Sequence, residues 1–349
     1  MSSSTRSRPD PSAVRSTVPV LVVLAVLWLA APGAAAVPTG PTEVPLSDVA
    51  VLPEADRQVS LVVNVAAGTQ PVPPDSVSVS VAGLRQPTAV VPVMSDQLAS
   101  GIVVDASQEG ASELASWLSG AARFVLEEPA AARTAVVADT TPPPVLAELQ
   151  QGPADVVRAL SAVRPHGKRD TSDALTLAVH QLPATLAVPR VVILYTGAAD
   201  AGGEASNDLA ARLAKEHVLL VVVTTATDTR YWSTATRPTG GFLAPAGTAA
   251  AGHALDQVAS TLRTRYLITF PTPAQLPTLA AVRVELPDVT MSTSVLVPAK
   301  DAGTRVDRGR GYAGSTWMKA ILWAAAIGGA LALLIWTALL LVGRTFRRM

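Results

Sequence analysis

The spacing of hydrophobic residues divides the chain near residue 99. In residues 46–98, apolar and polar residues alternate in short runs, most cleanly in the stretch "SVSVSV" that ends at Val81. Gly, Pro and Asp separate these runs. Alternation with a period of two is typical of strands that bury one face. We therefore predict a β-strand region over residues 46–98.

After residue 99 the pattern changes to apolar runs without alternation: "GIVVD", "RTAVVAD", "RVVILYTG" and "VLLVVVTT". The segments between the runs, such as "ASELASWLSGAARFVLEE", repeat apolar residues every three or four positions, as amphipathic helices do. Strands without alternation that are separated by helices indicate a mostly parallel sheet covered on both faces. The sequence therefore predicts the α/β class, with one doubly wound domain over residues 99–272.

Two further strand-like stretches, "AAVRVELP" and "STSVLVP", lie in residues 273–299. Neither this segment nor residues 46–98 has enough strands to bury a hydrophobic core alone. We predict that the two segments pair into one small β-sandwich, with the α/β domain inserted between them.

The two ends of the chain carry the longest apolar segments. Basic residues, the run Val18–Ala31 and small residues at Ala34 and Ala36 are typical of a signal peptide. We predict that residues 1–36 are cleaved and that a linker, residues 37–45, follows. The alternative is an uncleaved anchor, but the run is shorter than the roughly 20 residues that a span needs.

Near the C-terminus, residues 320–342 are apolar and uncharged, and they are long enough to cross about 30 Å of hydrocarbon. We predict a transmembrane helix there, preceded by a juxtamembrane linker, residues 300–319. Arginines in the tail, residues 343–349, favour a cytoplasmic C-terminus. The prediction is a single-pass protein of the cell membrane whose body is extracytoplasmic.

Composition excludes several classes of function. The chain has no cysteine, which excludes disulfides, thiolate metal sites and cysteine nucleophiles. Its formal net charge of +0 gives no argument for a nucleic-acid partner. The four histidines have no metal-ligand spacing, and neither a P-loop nor a G-x-S-x-G motif is present. We predict that the protein is not an enzyme and has no catalytic or cofactor-binding residues.

Polar residues that are candidates for binding a ligand follow the apolar strands. Asp105, Ser107 and Glu109 come after the first run, Thr171 opens a later helix, and Thr196 ends a third run. In a doubly wound sheet, ligands bind beyond the carboxyl ends of the strands. The basic stretch "RPHGKRD" precedes Thr171, and we interpret it as a solvated loop near the binding face.

This arrangement resembles the metal-ion-dependent adhesion site of the von Willebrand factor type A family, which is Asp-x-Ser-x-Ser, a distant Thr, and an Asp after a later strand. Asp105 and Ser107 match the first two positions, and Thr171 matches the threonine. Glu109 stands where the family has the second serine. The family's "LTDG"-like turn is replaced by Leu194–Gly197, which lacks the aspartate.

The resemblance implies a Rossmann-like von Willebrand type A fold and, in metal-binding members, a Mg²⁺ ion. The predicted ligands here are Asp105, Ser107, Glu109 and Thr171. Capping is the alternative, because Asp and Ser stabilise helix N-termini: Asp105 and Ser107 would cap a helix starting near Gly110, and Asp170 or Thr171 the next. We expect a degenerate site with no cofactor, and Mg²⁺ as the alternative.

The favoured function is a non-catalytic cell-envelope protein that binds a protein partner. Recognition is expected in three loops, residues 105–110, 166–173 and 196–206. One alternative is a Mg²⁺-dependent adhesin that binds a carboxylate of its partner. Another is a structural or assembly component that acts through residues 320–342. The sequence specifies neither the partner nor the oligomeric state.

Overall fold

The computed structural model describes residues 42–65, 72–185, 188–246 and 251–299. Four predicted segments lie outside these residues: the signal peptide 1–36, the juxtamembrane linker 300–319, the transmembrane helix 320–342 and the tail 343–349. Within the described ranges, no helix is both long and apolar enough to span a membrane.

The described residues form strands and helices that alternate in the middle of the chain. The strands are β1 (Thr42–Pro45), β2 (Ser47–Ala55), β3 (Gln58–Asn64), β4 (Val77–Val81), β5 (Leu84–Gln86), β6 (Ala89–Pro92), β7 (Ala99–Asp105), β8 (Arg133–Asp139), β9 (Val145–Gln151), β10 (Arg190–Thr196), β11 (Leu219–Thr224), β12 (Phe242–Pro245), β13 (Arg265–Pro271), β14 (Thr278–Glu285) and β15 (Val289–Val297). The α-helices are α1 (Leu114–Glu127), α2 (Pro153–Ala162), α3 (Thr171–Gln181), α4 (Ser206–Lys215), α5 (Arg230–Thr236) and α6 (Ala251–Arg263).

The central sheet has six strands in the order β12-β11-β10-β7-β8-β9. Its strands are parallel except β9, which runs antiparallel to β8. Counted from β7, this is the order 3-2-1-4-5-6 of doubly wound folds. The α/β fold class predicted from the sequence is confirmed.

Helices cover both faces of this sheet, which explains why its strands lack alternation. Ile102 and Val104 on β7 pack in one core with α1, α2 and α6. Val103, between them, packs in a second core with α3, α4 and α5. Every residue of β7, β10 and β11 is buried as a result.

The remaining strands form two smaller sheets that face each other. One has the order β1-β15-β14-β4-β5 and the other β2-β3-β13-β6. Their shared core includes Leu61, Val79, Ile268 and Val282, all fully buried. Strands from the two flanking segments pair directly, as β4 does with β14.

Two strands lie outside the positions that the sequence pattern suggested. β1 falls within the predicted linker 37–45 and pairs parallel with β15, with Thr42 opposite Val289. β13 falls within the predicted α/β range 99–272, yet it pairs with β3 and β6 in the four-stranded sheet. Its run "YLITF" lacks alternation because this sheet is covered on both faces: Ile268 faces the sandwich core, and Leu267 faces the α/β core.

The four-stranded sheet also contacts the edge of the central sheet. Arg265 on β13 is buried, and its Nη1 donates a hydrogen bond to the carbonyl oxygen of Gly240 at 2.6 Å. The Arg265 guanidinium lies 5.0 Å from the centre of the Phe242 ring on β12. Gly240 has φ +74°, and a Cβ at this position would overlap Val62 on β3. The two parts of the molecule are therefore packed closely together.

Candidate functional site

The switch point of the central sheet lies between β7 and β10. These strands are neighbours, but the chain leaves β7 towards α1 and leaves β10 towards α4, on opposite faces of the sheet. Loops that diverge in this way leave a crevice at the carboxyl ends of the strands, where doubly wound folds bind ligands. The crevice is flanked by the loops that follow Asp105 and Thr196.

The loop after β7 is held by hydrogen bonds within it. Asp105 Oδ1 accepts from the Ser107 N–H at 3.1 Å and from the Ser107 hydroxyl at 2.6 Å. The Ser107 Oγ in turn accepts from the Gly110 N–H at 3.2 Å. Asp105 and Ser107 are both 0% exposed. A Cβ at Gly110 would lie 2.7 Å from the Asp105 carboxyl carbon, so glycine allows this loop to close over the carboxylate.

The capping interpretation of this loop is wrong in its geometry. Helix α1 starts at Leu114 rather than near Gly110, and no side chain caps its first turn. Asp105 and Ser107 stabilise the turn that precedes the helix. The capping interpretation of the second loop is correct for Asp170, which is the N-cap of α3 and accepts from the Asp173 N–H at 3.4 Å.

Thr171 binds a residue that sequence reasoning missed. Its hydroxyl donates to Asp139 Oδ2 at 2.5 Å, and the Asp170 N–H donates to Asp139 Oδ1 at 2.7 Å. Asp139 is the last residue of β8 and lies directly opposite Asp105 in the ladder of β7 and β8. Burial raises the pKa of Asp139 to about 6, and the negative charge of Asp105 acts in the same direction, while hydrogen bonds from Thr171 and Asp170 oppose it.

Arg169 is the second residue that sequence reasoning missed. Its Nη1 donates to Asp105 Oδ2 at 3.0 Å, and its Nη2 donates to Glu109 Oε2 at 2.7 Å. The Arg169 side chain is only 26% exposed, so the interpretation of "RPHGKRD" as a solvated loop is wrong for this residue. The arginine connects the buried carboxylate of Asp105 with that of Glu109, which is 60% exposed.

The loop after β10 brings no carboxylate from its own sequence to this cluster. Thr196 is buried, and its Oγ1 accepts from the Ala198 N–H at 3.0 Å. Asp200 is exposed and accepts from the Gly202 N–H at 2.9 Å within its own turn. The position of the family's third-loop aspartate is thus filled by a threonine whose hydroxyl binds the backbone.

Three loops are nevertheless joined into one surface. The His166 N–H donates to the Ala106 carbonyl oxygen at 2.8 Å, and the Gln108 N–H donates to the Gly167 carbonyl oxygen at 3.1 Å. These bonds connect the first loop with the second. The second and third are connected at α3, where the Ser172 hydroxyl donates to the Glu204 carboxylate at 3.0 Å.

Glu204 is fixed in turn by its neighbours. Arg212 on α4 donates to both of its carboxylate oxygens, at 3.1 and 2.7 Å. This interaction lowers the pKa of Glu204. The Tyr231 hydroxyl on α5 donates to the Glu204 carbonyl oxygen at 2.8 Å. The third loop is therefore held by two helices as well as by the second loop.

The donor set does not fit a divalent ion in this arrangement. Mg²⁺ prefers six oxygen ligands in octahedral geometry. Each predicted ligand already binds a group of the protein: Asp105, Ser107, Glu109 and Thr171. The cation beside the carboxylates is the Arg169 guanidinium. Among the residues that the structure describes, no group of three or more His, Asp or Glu side chains is arranged to hold a metal. The assignment of metal ligands stays a prediction.

Comparison with known proteins gives similarity only among solved structures. No protein-family model matches the chain, and no curated protein matches it. Proximal thread matrix protein 1 from the mussel byssus, whose structure was solved with a zinc-occupied MIDAS motif, is 18% identical with a TM-score of 0.43. That match covers 53% of this chain and 50% of the mussel protein, so this chain corresponds to only half of that protein's length.

Two bacterial structures are also similar. An aerotolerance-related membrane protein from Bacteroides fragilis is 9% identical with a TM-score of 0.42, covering 47% of this chain and 98% of that one. A von Willebrand factor type A protein from Catenulispora acidiphila is 10% identical with a TM-score of 0.43, covering 74% of each chain. The solved structures similar to this chain thus include a von Willebrand factor type A protein.

Proposed function

We propose that the chain is a non-catalytic, extracytoplasmic protein-interaction domain that binds a protein partner through the loops 105–110, 166–173 and 196–206. The observation that carries the proposal is the hydrogen bonding of the loops into one surface. Two backbone hydrogen bonds join the first loop to the second, and the bond from Ser172 to Glu204 joins the second to the third. Loops supported by a rigid sheet provide a preorganised binding surface, which reduces the entropy lost on association.

The exposed residues of this surface suit a protein partner. Gln108, Glu109, His166 and Lys168 are exposed around the buried carboxylates, and they offer donors, acceptors and charges of both signs. The same burial supports a function without catalysis. The Ser107 hydroxyl is inaccessible to a substrate and donates its hydrogen to Asp105 rather than to a general base at the surface.

Photo-crosslinking from one glutamine at each end of the central parallel strands tests the proposed surface. Gln108 is exposed near the carboxyl ends of the parallel strands, and its side chain donates to the Pro165 carbonyl oxygen. Gln151 is exposed near the amino ends of the parallel strands, and its side chain donates to the Ala130 carbonyl oxygen. A photoreactive amino acid at position 108 of the full-length protein should capture a specific partner in intact cells, and position 151 should not. Equal capture from both positions, or capture from 151 alone, would contradict the proposal.

Placement in the cell envelope rests on the predicted signal peptide 1–36 and the predicted transmembrane helix 320–342. Because the chain has no cysteine, single cysteines report topology without background. We expect a membrane-impermeant maleimide to label Ser112→Cys in intact cells and to label Thr345→Cys only after lysis. Labelling of Thr345→Cys in intact cells would overturn the orientation.

A further inference from the structure

The Arg169 guanidinium lies between two carboxylates of the loop after β7, and it uses a different nitrogen for each. Nη1 is 3.0 Å from Asp105 Oδ2, and Nη2 is 2.7 Å from Glu109 Oε2. We infer that Arg169 is the resident cation of this site: its guanidinium supplies the positive charge that the resemblance assigns to a divalent ion, and the recognition loops are held without a metal.

Because the Asp105 carboxylate is buried, it needs the positive charge of the Arg169 guanidinium. Asp105 is 0% exposed, and a buried carboxylate is costly unless a cation or several hydrogen bonds compensate its charge. The Ser107 N–H and hydroxyl satisfy Oδ1, which leaves Oδ2 to the Arg169 guanidinium. The planar guanidinium has fixed, divergent N–H donors that suit carboxylates, and it carries one positive charge.

The two departures from the family pattern suit an arginine better than a metal. The third position of the motif is Glu109 rather than serine, which gives the second guanidinium nitrogen a charged acceptor in place of a neutral hydroxyl. The third-loop aspartate is replaced by Thr196, so the gain of Glu109 offsets its loss, and the two carboxylates that remain, Asp105 and Glu109, are the two that one guanidinium binds.

A divalent ion would have to compete with Arg169 for the same oxygens. It could reach Asp105 Oδ2 only by displacing a charge-assisted hydrogen bond, which is about twice as strong as a neutral one. It would also lie near a positive group that is tethered in the same loop cluster. The Thr171 hydroxyl already has a partner within the protein, because it donates to Asp139.

The inference is tested on the purified full-length protein alone, so that its outcome does not depend on the proposed partner. Manganese binding is measured by the loss of the free Mn²⁺ signal in electron paramagnetic resonance, and unfolding temperatures are measured with EDTA and with Mn²⁺. For the wild type we expect no saturable Mn²⁺ binding and the same unfolding temperature in both conditions. Saturable binding to the wild type would overturn the inference.

The variant Arg169→Gln should unfold roughly 5–10 °C lower than the wild type, because Asp105 loses its charge partner. It should also acquire Mn²⁺ binding, with partial recovery of the unfolding temperature, and Asp105→Asn in the same chain should abolish that binding. Arg169→Lys keeps one charge without the two-pronged geometry and should lie between the two. If Mn²⁺ has no effect on Arg169→Gln, the equivalence of guanidinium and metal is wrong.

The matched control is Arg164→Gln in the same loop. Among the described residues, Arg164 donates to the backbone carbonyl oxygens of Ser161 and Val163, and it is exposed. Its replacement should leave both the unfolding temperature and Mn²⁺ binding close to those of the wild type. If Arg164→Gln and Arg169→Gln lower the unfolding temperature equally, Arg169 has no special part in the site.

Discussion

Carboxylate side chains lie at both ends of strands β7 and β8, and they are stabilised in different ways. At the carboxyl end, Asp105 and Asp139 lie opposite each other, and Arg169 binds the first of them. At the amino end, Ser100 and Thr134 lie opposite each other, and both hydroxyls donate to the carboxylate of Glu128 at 2.6 Å. The same pair of strands thus carries carboxylates at its carboxyl end and two hydroxyls that bind the carboxylate of Glu128 at its amino end.

The difference lies in whether a cation is present. Among the ion pairs of the described residues, none includes Glu128, whereas Asp105 is bound to a guanidinium. Burial therefore raises the pKa of Glu128 to about 7, although the hydrogen bonds from Ser100 and Thr134 oppose the shift. Hydroxyls can accommodate a neutral or a charged carboxyl group, because they both donate and accept. A guanidinium only donates and is positively charged, so it favours the charged form of the carboxyl group.

Neutralising one carboxylate at each edge should give the largest contrast. Asp105→Asn removes the charge that binds Arg169 and turns an amide donor towards other donors, and we expect a loss of about 3–5 kcal/mol in the free energy of unfolding at pH 7. Glu128→Gln faces rotatable hydroxyls and should change it by less than about 1 kcal/mol. Urea denaturation of both variants measures the contrast. Equal losses would show that the two edges are stabilised in the same way.

A methyl group added next to Asp105 should have the next largest effect. The Cβ in Gly110→Ala would lie 2.7 Å from the Asp105 carboxyl carbon, and overpacking of this kind costs about 1–3 kcal/mol. Gly101→Ala is the control on the same strand, because its Cβ would make ordinary contacts at 3.5 Å with Ala178 and Val192. Denaturant midpoints of the two variants check the prediction, which fails if Gly101→Ala is the more damaging change.

Glu128 should make the free energy of unfolding depend on pH. The pKa of Glu128 rises from 4.5 to about 7 on folding, so the folded protein retains a proton that the unfolded chain loses. The resulting stabilisation is complete below pH 4.5 and is lost as the pH rises through about 7. We expect the unfolding free energy of the wild type, relative to Glu128→Gln, to fall by roughly 2–3 kcal/mol from pH 5 to pH 8.

Denaturation of the two proteins in parallel at each pH separates Glu128 from Asp139, whose pKa is raised in the same direction. A difference between wild type and Glu128→Gln that does not vary with pH would mean that Glu128 ionises as freely in the folded state as in the unfolded chain.

The smallest effect should come from an exposed ion pair away from both edges. Arg158 and Asp155 on α2 form a salt bridge whose side chains are 76% and 60% exposed. Arg158→Gln should lower the unfolding free energy by less than about 0.5 kcal/mol, because solvent screens such pairs. The same arginine-to-glutamine change at Arg169 should cost several times more. A comparable loss at both positions would remove the distinction between a buried cation and a solvated one.

The parts of the fold that follow a local pattern could be predicted from the sequence. Runs without alternation indicated the central sheet, and the rule that ligands bind at strand ends directed attention to Asp105 and Ser107. The same rule could have found Asp139, since "RTAVVAD" ends in aspartate as "GIVVD" does. β13 was placed in the α/β range because a strand covered on both faces has the same apolar pattern in any sheet.

The role of Arg169 could not be predicted, for a different physical reason. It is 64 positions from Asp105 and 60 from Glu109 in the sequence, and only the tertiary fold brings the three together. Its sequence neighbours His166 and Lys168 are exposed, so the composition of the loop is that of a solvated segment. The partner of a charged side chain depends on the fold, and composition does not report it.

The α/β domain joins the sandwich through two strands, β6 and β13, that pair with each other, with Tyr266 opposite Pro92. A domain joined by a single linker swivels freely. Here, rotation about the junction would have to break the hydrogen bonds between these strands and separate Leu267 from the α/β core. A force applied to the loops at the carboxyl ends of the central strands is therefore transmitted to the sandwich through two paired strands rather than one. The paired strands and the packing of Leu267 therefore oppose rotation of the α/β domain relative to the sandwich.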